Sequence, residues 1–278
     1  MYIFLFNKNT LTLMKTPLLL AWALLLTAPA CHSNRGETNA PAQTTTTVQP
    51  DDTPLKMQQV VVKQADRHSF EAQICVPVSG PQPLADSLTV FVKKWCGIKT
   101  PDCSPIRPQL LEMAAKFISE GKDCDNEMKA NSGEDDDLMP AWEATRTVEL
   151  NTSNERYVTL HANAYIYTGG AHGMPADEYY TFDAHTGRCI TYHDMFASAH
   201  SREMLKLVEQ ELHRQCNLDD DFWDFHLPAT VALVPQGICF GYAAYEIGPY
   251  AIGMPSCILK PSQVSAYLTP YGKKLLGM

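Results

Sequence analysis

An eleven-residue run of strict alternation constrains the fold more than any other part of the sequence. In Tyr157–Tyr167 the residues Val, Leu, Ala, Ala and Ile alternate with polar or aromatic residues. Successive side chains of a β-strand point to opposite faces, so this period of two predicts a strand with one face on a hydrophobic core. The turn-forming residues 151–154 separate it from a second strand pattern at residues 142–150. An antiparallel hairpin is therefore expected.

Strand and helix patterns recur on both sides of this hairpin. Further strands are predicted at residues 55–63, 70–78, 178–182, 188–191, 230–234 and 238–242. Helices are predicted at residues 84–95, 106–118, 201–215 and 262–268. Strand runs interrupted by isolated helices are typical of an α+β fold with antiparallel sheets packed against helices, and not of a doubly wound parallel sheet. We expect two small domains, at residues 55–139 and 140–278.

The first 31 residues have the three parts of a secretory signal peptide. Lys15 gives the charged start, Leu18 to Leu26 form a short apolar run, and small residues precede Cys31. The apolar run is much shorter than the about 20 residues that cross a bilayer. Cys31 lies where a bacterial lipobox places its lipidated cysteine, which predicts an exported lipoprotein held in the cell envelope by its lipid anchor alone. Residues 32–54, rich in Thr, Pro, Gln and Asn, are predicted to form a flexible tether.

Composition and charge exclude several classes of protein. With 45% hydrophobic and 19% charged residues, the chain has the composition of a globular protein rather than a disordered one. Two of its 22 basic residues and none of its 31 acidic residues precede residue 32, so the exported part has a formal charge of -11. No basic stretch is available to neutralise phosphates, which argues against a nucleic-acid partner. An acidic surface instead favours encounter with a basic protein.

Cysteines and histidines do not form a recognisable metal or redox motif. Of nine cysteines, eight remain after Cys31, and an even number in an exported chain favours disulfides, with buried free thiols as the alternative. None of them has the Cys-x-x-Cys spacing of a zinc or redox site. The nine histidines include no His-Glu-x-x-His pair. We therefore predict no metal and no cofactor.

The most distinctive short string is Thr-Gly-Gly-Ala-His-Gly, directly after the alternating strand. It matches neither a dinucleotide fingerprint nor a P-loop, and no Gly-x-Ser-x-Gly elbow of a serine hydrolase occurs in the chain. We interpret the string as a tight structural turn in which the histidine orients the loop. Its structural residues are Gly169, Gly170, His172 and Gly173.

A second structural turn is predicted at Asp183 and Gly187, where a later strand ends. The alternative to these structural roles is catalysis. It requires His172, Asp183 and Glu246 to converge in one cleft, with the two acids acting on a glycan.

The segment from Tyr245 to Gly253 combines aromatics, glycines and a single acid. A Gly-Pro pair within it is incompatible with a helix interior, so a fixed loop is expected. Tyrosines on a rigid loop offer large contact area at a small cost in conformational entropy, which favours recognition, whereas packing of the tyrosines against the sheet is the alternative. The predicted ligand-binding residues are Tyr245, Glu246, Pro249 and Tyr250.

Four strings, taken in order and spacing, resemble the extracellular part of the anti-sigma-V-type (RsiV-like) lysozyme-sensing proteins. They are Tyr165-x-Tyr167-Thr-Gly-Gly-Ala-His-Gly173, Phe182-Asp183-x-x-Thr186-Gly187, Asp194-x-Phe196 and Tyr245-Glu-Ile-x-Pro-Tyr250-Ala-x-Gly253. The resemblance implies a domain pair that occurs in lysozyme-binding anti-sigma factors, beside the catalytic domain of wall polysaccharide deacetylases, and in envelope lipoproteins. Residues 257–261 depart from the family pattern, which leaves the family's final edge strand unsupported.

These observations favour a non-enzymatic envelope lipoprotein that binds a wall-related ligand. The resemblance and the acidic charge indicate a lysozyme-like muramidase or a peptidoglycan fragment as that ligand. A hydrolase of wall glycan, an accessory protein to a deacetylase and a scaffold for other envelope proteins are the alternatives.

Overall fold

The computed structural model describes residues 53–99, 105–132, 139–219 and 222–278. Its strands are β1 (Lys56–Ala65), β2 (Ser69–Ser79), β3 (Glu143–Ser153), β4 (Tyr157–Tyr167), β5 (Met174–Asp183), β6 (Ala232–Val234), β7 (Gly237–Gly241) and β8 (Ser256–Leu259). Its helices are α1 (Gln82–Trp95), α2 (Ile106–Ser132), α3 (Tyr192–Met195), α4 (Ser201–Cys216), α5 (Pro261–Val264) and α6 (Pro270–Leu276). None of the helices in these ranges has the length and apolar character that a membrane span requires.

The first five strands form one sheet in the order β1-β2-β3-β4-β5. All neighbours are antiparallel except β2 and β3, which are parallel because the chain crosses over through α1 and α2 between them. The hairpin of β3 and β4 has the predicted antiparallel pairing, with Val148 opposite Ala162. The sheet therefore includes strands from both sides of the division predicted after residue 139, and that division stays a prediction.

The alternation in β4 separates a core face from a polar face. Val158, Leu160 and Ala162 are buried in one hydrophobic cluster, together with Phe70 of β2 and Leu88 of α1. The helices α1 and α2 cover this face, since their buried residues recur at helical spacing. The period of two in β4 thus marks the face of the sheet that packs into this hydrophobic cluster.

The remaining three strands form a small antiparallel sheet with the order β6-β7-β8. Helix α4 packs on it through Met204, Val208 and Leu212, which belong to a second hydrophobic cluster. Hydroxyls link the two sheets: Thr159 donates to the carbonyl of Leu233 at 2.6 Å, and the Leu233 amide donates to the hydroxyl of Thr181 at 2.8 Å. All three residues are buried, so hydrogen bonds satisfy the polar atoms at this junction.

The predicted α+β fold with helix-packed sheets is confirmed, and several elements differ in extent. The predicted strand at residues 188–191 is not one; Cys189 and Thr191 make only isolated bridges. The predicted helix at residues 262–268 is the single turn α5, and α6 closes the described chain. Strand β8 is present at residues 256–259, although the departure of residues 257–261 from the family pattern gave no support for a final edge strand there.

The seven cysteines in the described ranges are all free thiols, which is the alternative to the expected disulfides. Burial raises the pKa of Cys96 to about 12 and that of Cys239 to about 11. These thiols stay protonated at neutral pH, and a protonated thiol is a poor nucleophile. Cys96 and Cys239 therefore behave as small apolar residues of the core.

Arg146 is a charged residue on the core face of β3. It lies between Ala144 and Val148, which are buried, and its neighbours across the sheet are Ala72 and Ala164. Its Nε atom is buried and has no hydrogen-bond partner among the described residues. Burial lowers the pKa of Arg146, because the charged form loses hydration. The guanidinium therefore costs stability where it lies.

Replacing Arg146 by methionine is expected to raise the free energy of unfolding by about 1 kcal/mol, because an apolar chain of similar length removes an unsatisfied buried donor. Urea denaturation measures the change. The control is Arg202→Met on the exposed surface of α4, which should alter stability by less than about 0.5 kcal/mol. A loss of stability in Arg146→Met would contradict this account.

Candidate functional site

The loop between β4 and β5 is a glycine turn with a structural basis. Gly169 and Gly170 have φ angles of +97° and +99°, which side chains rarely adopt. A Cβ atom on Gly173 would lie 2.3 Å from the ring of Tyr165, so only glycine allows that ring to pack there. The Tyr167 hydroxyl donates to the carbonyl of Gly170 at 3.0 Å. The turn presents His172 at a fixed position on the surface.

Three aromatic side chains join this turn to the loop at residues 242–253. The ring of Tyr250 stacks on His172 with 3.8 Å between ring centroids, and its hydroxyl donates to the carbonyl of Gly173 at 2.9 Å. The Tyr245 hydroxyl lies 3.3 Å from His172 Nε2. His172, Tyr245 and Tyr250 are called the aromatic triad below.

The hydrogen bonds of His172 define its tautomer. Its Nδ1 lies 3.0 Å from the carbonyl oxygen of Gly173, which only accepts, so Nδ1 carries the proton. Nε2 is then the acceptor for the Tyr245 hydroxyl. Both ring nitrogens are engaged within the protein, which is the arrangement of a brace between two loops.

Glu246 holds the turn that presents Tyr245. One carboxylate oxygen accepts the amide of Ala243 at 2.7 Å, and the other lies 3.1 Å from His226 Nε2. The Tyr242 hydroxyl donates to the carbonyl of His226 at 2.8 Å. Tyr245 itself has a φ of +67°. A left-handed tyrosine persists only where its surroundings fix the backbone, as they do here.

Asp183 lies in a separate turn at the end of β5. Its carboxylate accepts the amides of His185 and Thr186 at 3.0 and 2.8 Å and the hydroxyl of Tyr271 at 2.5 Å. Burial by itself would raise the pKa of Asp183, but these hydrogen bonds outweigh it and the pKa is lowered. Gly187 closes the turn at a φ of +68°, where a Cβ atom would lie 2.2 Å from the carbonyl oxygen of Pro83.

Tyr271→Phe should lower the free energy of unfolding by about 1 to 2 kcal/mol at pH 7, because it removes a hydrogen bond to a carboxylate. A lowered folded-state pKa stabilises the protein above the unfolded-state pKa, and that stabilisation is lost as the pH falls through the folded-state pKa. The deficit of the variant should therefore narrow in acid. Urea titrations at several pH values measure it, with Tyr267→Phe as the control. A deficit that is constant with pH would be inconsistent with this role of Asp183.

The described structure shows no direct contact that joins His172, Asp183 and Glu246. Each has its own partners, and among the described residues no hydrogen bond or ion pair links any two of them. No contact between these residues supports the catalytic alternative, which stays a prediction. In the described ranges no group of three or more His, Cys, Asp or Glu side chains is placed to hold a metal ion. Cys31, the predicted lipidation site, lies outside the described residues.

Sequence reasoning missed Trp223. The residue is 54% exposed, and its amide donates to the carbonyl of Ile247 at 2.8 Å, within the predicted recognition loop, which is the segment from Tyr245 to Gly253. Tyr245 is 44% exposed, whereas Tyr250 is only partly exposed. A large apolar side chain that is exposed on a fixed backbone indicates a contact surface. The sequence alone does not show which side chains are exposed, so Trp223 could not be identified from it.

A cavity of about 350 Å³ opens beside the same loop. Its walls come from the end of α4, the segment that follows it, and the recognition loop. The lining residues are Asn217, Leu218, Asp219, Phe222, Gly248, Pro249 and Ile252. The predicted residue Pro249 is exposed at its rim.

Comparison with known families gives two matches within the chain. The family model described as deacetylase PdaC matches residues 92–175, and that of a protein of unknown function, DUF3298, matches residues 193–260. The chain pairs a PdaC-like region with a DUF3298 region. This pairing agrees with a domain pair of unknown function. No curated protein shows significant similarity to the chain.

Solved structures show the same fold at low sequence identity. A DUF3298 family member from Bacteroides fragilis NCTC 9343 is 17% identical with a TM-score of 0.68, covering 80% of this chain and 96% of that one. A DUF3298 family protein from Pseudomonas aeruginosa PAO1 is 18% identical with a TM-score of 0.51, covering 78% of this chain and 96% of that one. These similarities establish the fold alone.

Proposed function

We propose that the chain is a non-enzymatic binding protein of the bacterial cell envelope, with a lysozyme-like muramidase or a peptidoglycan fragment as its ligand. The observation that carries this proposal is the exposure of Trp223 and Tyr245 on backbone that hydrogen bonds hold in place. Tryptophan and tyrosine dominate the energetics of binding surfaces, and a preorganised loop loses little entropy when it binds.

The nature of the ligand rests on two further arguments. The four strings, which contain His172, Asp183, Phe196 and Tyr250 respectively, resemble those of the RsiV-like lysozyme-sensing family. The formal charge of -11 in the exported part favours a basic partner, and lysozyme-like enzymes are typically basic. A muramidase satisfies both arguments, while a peptidoglycan fragment satisfies the first.

A binding experiment tests the proposal directly. The full chain is immobilised and titrated with a basic lysozyme, with purified peptidoglycan fragments, and with cytochrome c as a basic protein of unrelated shape. We expect lysozyme or the fragments to bind with a Kd in the micromolar range or tighter, and cytochrome c to bind far more weakly. Equal affinity for lysozyme and cytochrome c would show that binding depends on the charge of the partner alone. If neither lysozyme nor the fragments bind, the proposal is refuted.

The same mixtures test the absence of catalysis. Fragments incubated with the chain are analysed by mass spectrometry for cleavage or loss of acetyl groups. Unchanged masses are expected, because the candidate acid and base residues have separate partners. Turnover that survives purification of the chain would establish one of the enzymatic alternatives instead.

Lipid anchoring by Cys31 is part of the proposal. Cys31→Ser should move the protein from the membrane fraction to the soluble fraction of cells, because a thioether-linked lipid no longer forms. Cell fractionation followed by immunoblotting measures this. Retention of the variant in membranes would show that another segment anchors the chain.

A further inference from the structure

The outer edge of β5 is paired over only part of its length. The amide of Ile190 donates to the carbonyl of Thr181 at 2.7 Å, and the amide of Asp183 donates to the carbonyl of Arg188 at 2.9 Å. This short antiparallel segment pairs with the end of β5 on the side that faces away from β4. The pairing stops where the chain turns into α3.

The first half of the same edge has no such partner. Backbone groups alternate in direction along a strand, so odd-numbered residues of β5 point away from β4, as Thr181 and Asp183 do. The outward amides and carbonyls of Asp177 and Tyr179 make no hydrogen bond with any described residue. Pro175 lies at the next outward position, where a sheet edge tolerates a residue without an amide hydrogen. Asp177 and Tyr179 therefore present free donors and acceptors to a further strand.

The opposite edge of the sheet, at β1, is protected by other side chains. Arg107 Nη1 donates to the carbonyl of Val61 at 2.8 Å. Lys56 and Lys63 are exposed on the same strand, and lysines on an edge strand oppose pairing with another chain. Residues 174–179 of β5 contain no lysine, and no described side chain covers their outward backbone groups in this way.

The side chains beside the unpaired edge are mainly acidic. Asp177 is exposed and pairs with His161 on β4, and the neighbouring Glu178 is partly exposed. Glu149 lies across β4 from Tyr179 on the same face of the sheet. Burial raises the pKa of Tyr179, and the carboxylates of Asp177 and Glu149 raise it further. This negative potential favours a basic occupant.

The unpaired edge begins at the aromatic triad. Strand β5 starts at Met174, directly after Gly173, whose carbonyl accepts the Tyr250 hydroxyl at 2.9 Å. A strand that pairs with Asp177 and Tyr179 therefore ends within a few residues of this turn. The edge and the loop proposed for recognition form one continuous surface.

We propose that the first half of β5 binds an extended basic segment of a protein ligand as an added antiparallel strand. The backbone of such a segment supplies the amides and carbonyls that Asp177 and Tyr179 lack, which a glycan cannot do in the same pattern. Ligand residues that pair with these two residues point to the same face, so a lysine there lies beside Asp177. The inference rests on the proposed function and refines it, because it identifies the ligand as a protein and not as a glycan.

The test uses the peptide acetyl-Lys-Val-Lys-Val-Lys-amide as the probe. It is titrated into the isotopically labelled full chain, and amide shifts and hydrogen exchange are followed by NMR. We expect saturable binding with a Kd in the millimolar range, and at saturation the amides of Asp177 and Tyr179 should exchange at least about tenfold more slowly. The peptide with glutamate in place of lysine should not bind.

Two methylated peptides test strand addition on the unchanged chain. In the proposed pairing the lysine amides face β5 and the valine amides face away from it. N-methylation of the lysine amides should therefore abolish binding, whereas N-methylation of the valine amides should preserve it. Equal affinity of the two methylated peptides would overturn the proposal.

A matched pair of variants tests the same edge from the side of the protein. Asp177→Pro removes the outward amide, and Asp177→Ala removes the same carboxylate but keeps that amide. Because the amide points away from β4, proline breaks no hydrogen bond of the sheet. Asp177→Pro should bind the lysine peptide at least about tenfold more weakly than Asp177→Ala does. Equal binding by the two variants, with similar melting temperatures, would contradict the inference.

The same variants separate this inference from the proposed function. If lysozyme binds the chain and both variants with one affinity, the proposed function stands and the strand site is wrong. If the lysine peptide protects the amides of Asp177 and Tyr179 but neither lysozyme nor wall fragments bind, the strand site stands and the proposed ligand class is wrong. Protection of these amides by wall fragments and not by the peptide would also overturn the strand site.

Discussion

Asp125→Ala is expected to lower the free energy of unfolding by about 3 kcal/mol. Asp125 lies on α2 and is buried. Its Oδ2 atom is 2.8 Å from Arg67 Nε and 3.0 Å from His68 Nε2. Alanine would leave the partly buried guanidinium of Arg67 without its acceptor. It would also remove the carboxylate beside His68 Nε2, a buried atom that lies close to Asp125 without a well-aligned hydrogen bond.

The geometry around His68 makes this loss hard to repair. The ring is completely buried, and its Nδ1 accepts the amide of Trp142 at 3.0 Å, so its proton must be on the nitrogen that faces Asp125. Arg67 also donates to the carbonyl of Met139 at 2.5 Å. Asp125 therefore ties the β1–β2 turn to α2 through Arg67. The same turn is tied to the segment before β3 by the hydrogen bonds of His68 with Trp142 and of Arg67 with Met139.

A matched control separates this role from the general cost of losing an aspartate. Asp123 lies on the same helix and is exposed, so Asp123→Ala should change stability by less than about 0.5 kcal/mol. Asp125→Asn keeps an acceptor oxygen, so its loss of stability should lie between those of Asp125→Ala and Asp123→Ala. Chemical denaturation of the three variants gives the ranking. A loss in Asp125→Ala no larger than in Asp123→Ala would show that the buried cluster contributes nothing to stability.

This cluster also explains why the sequence predicts only half of α2. The apolar face that marks the helix ends at Ile118, and the following stretch is polar and contains Gly121. The helix nevertheless continues to Ser132. A Cβ atom at Gly121 would lie 2.8 Å from the ring of His68, so this glycine makes room for the buried histidine. Propensity and periodicity predict the first half of α2, which apolar packing stabilises. The second half is stabilised by the ion pair of Asp125 with Arg67, a residue far away in sequence.

The sheets were predictable because alternation is a local property. The strands β2 and β4 agree with their predicted bounds within one or two residues. Val158, Leu160 and Ala162 of β4 are buried as the alternation predicts, and Thr159 on the other face is buried as well, against Leu233. The neighbours in the sheet were not predictable in the same way. The parallel pairing of β2 with β3 joins residues more than 70 positions apart, and such pairing is decided by how α1 and α2 cover one face. Local patterns carry no information on that choice.

The candidate site was predicted in its parts but not in its assembly. Both loops, at residues 168–173 and 245–253, were predicted from their glycines and tyrosines. Positive backbone φ angles favour glycine, and contact loops are often rich in tyrosine. The stacking of His172 on Tyr250 joins residues 78 positions apart, and no spacing rule predicts it. It also changes the ranking of the tyrosines. Tyr250 is the brace between the loops, and Tyr245 is the more exposed of the two.

Tyr245→Ala should weaken binding of the muramidase or wall ligand about 30-fold while the melting temperature stays nearly unchanged. A 30-fold loss corresponds to about 2 kcal/mol, the level that defines a binding hot spot. The reason is exposure: the Tyr245 residue is 44% exposed, and within the protein its hydroxyl lies 3.3 Å from His172 Nε2 and its ring centroid 5.4 Å from that of Tyr250. Removal of the ring therefore changes the stability of the folded state little, whereas the complex loses a large aromatic contact.

Tyr250→Ala is the matched comparison, since it removes the same side chain five residues further along the same loop. Tyr250 stacks on His172 and donates to the carbonyl of Gly173, so its loss should lower the melting temperature and weaken binding only as far as the loops separate. Affinity and melting temperature are measured on both variants. If Tyr245→Ala binds normally, the exposed rings are not the contact surface. If Tyr250→Ala keeps the native melting temperature, the aromatic triad does not connect the loops, and the preorganisation on which the proposed recognition depends is absent.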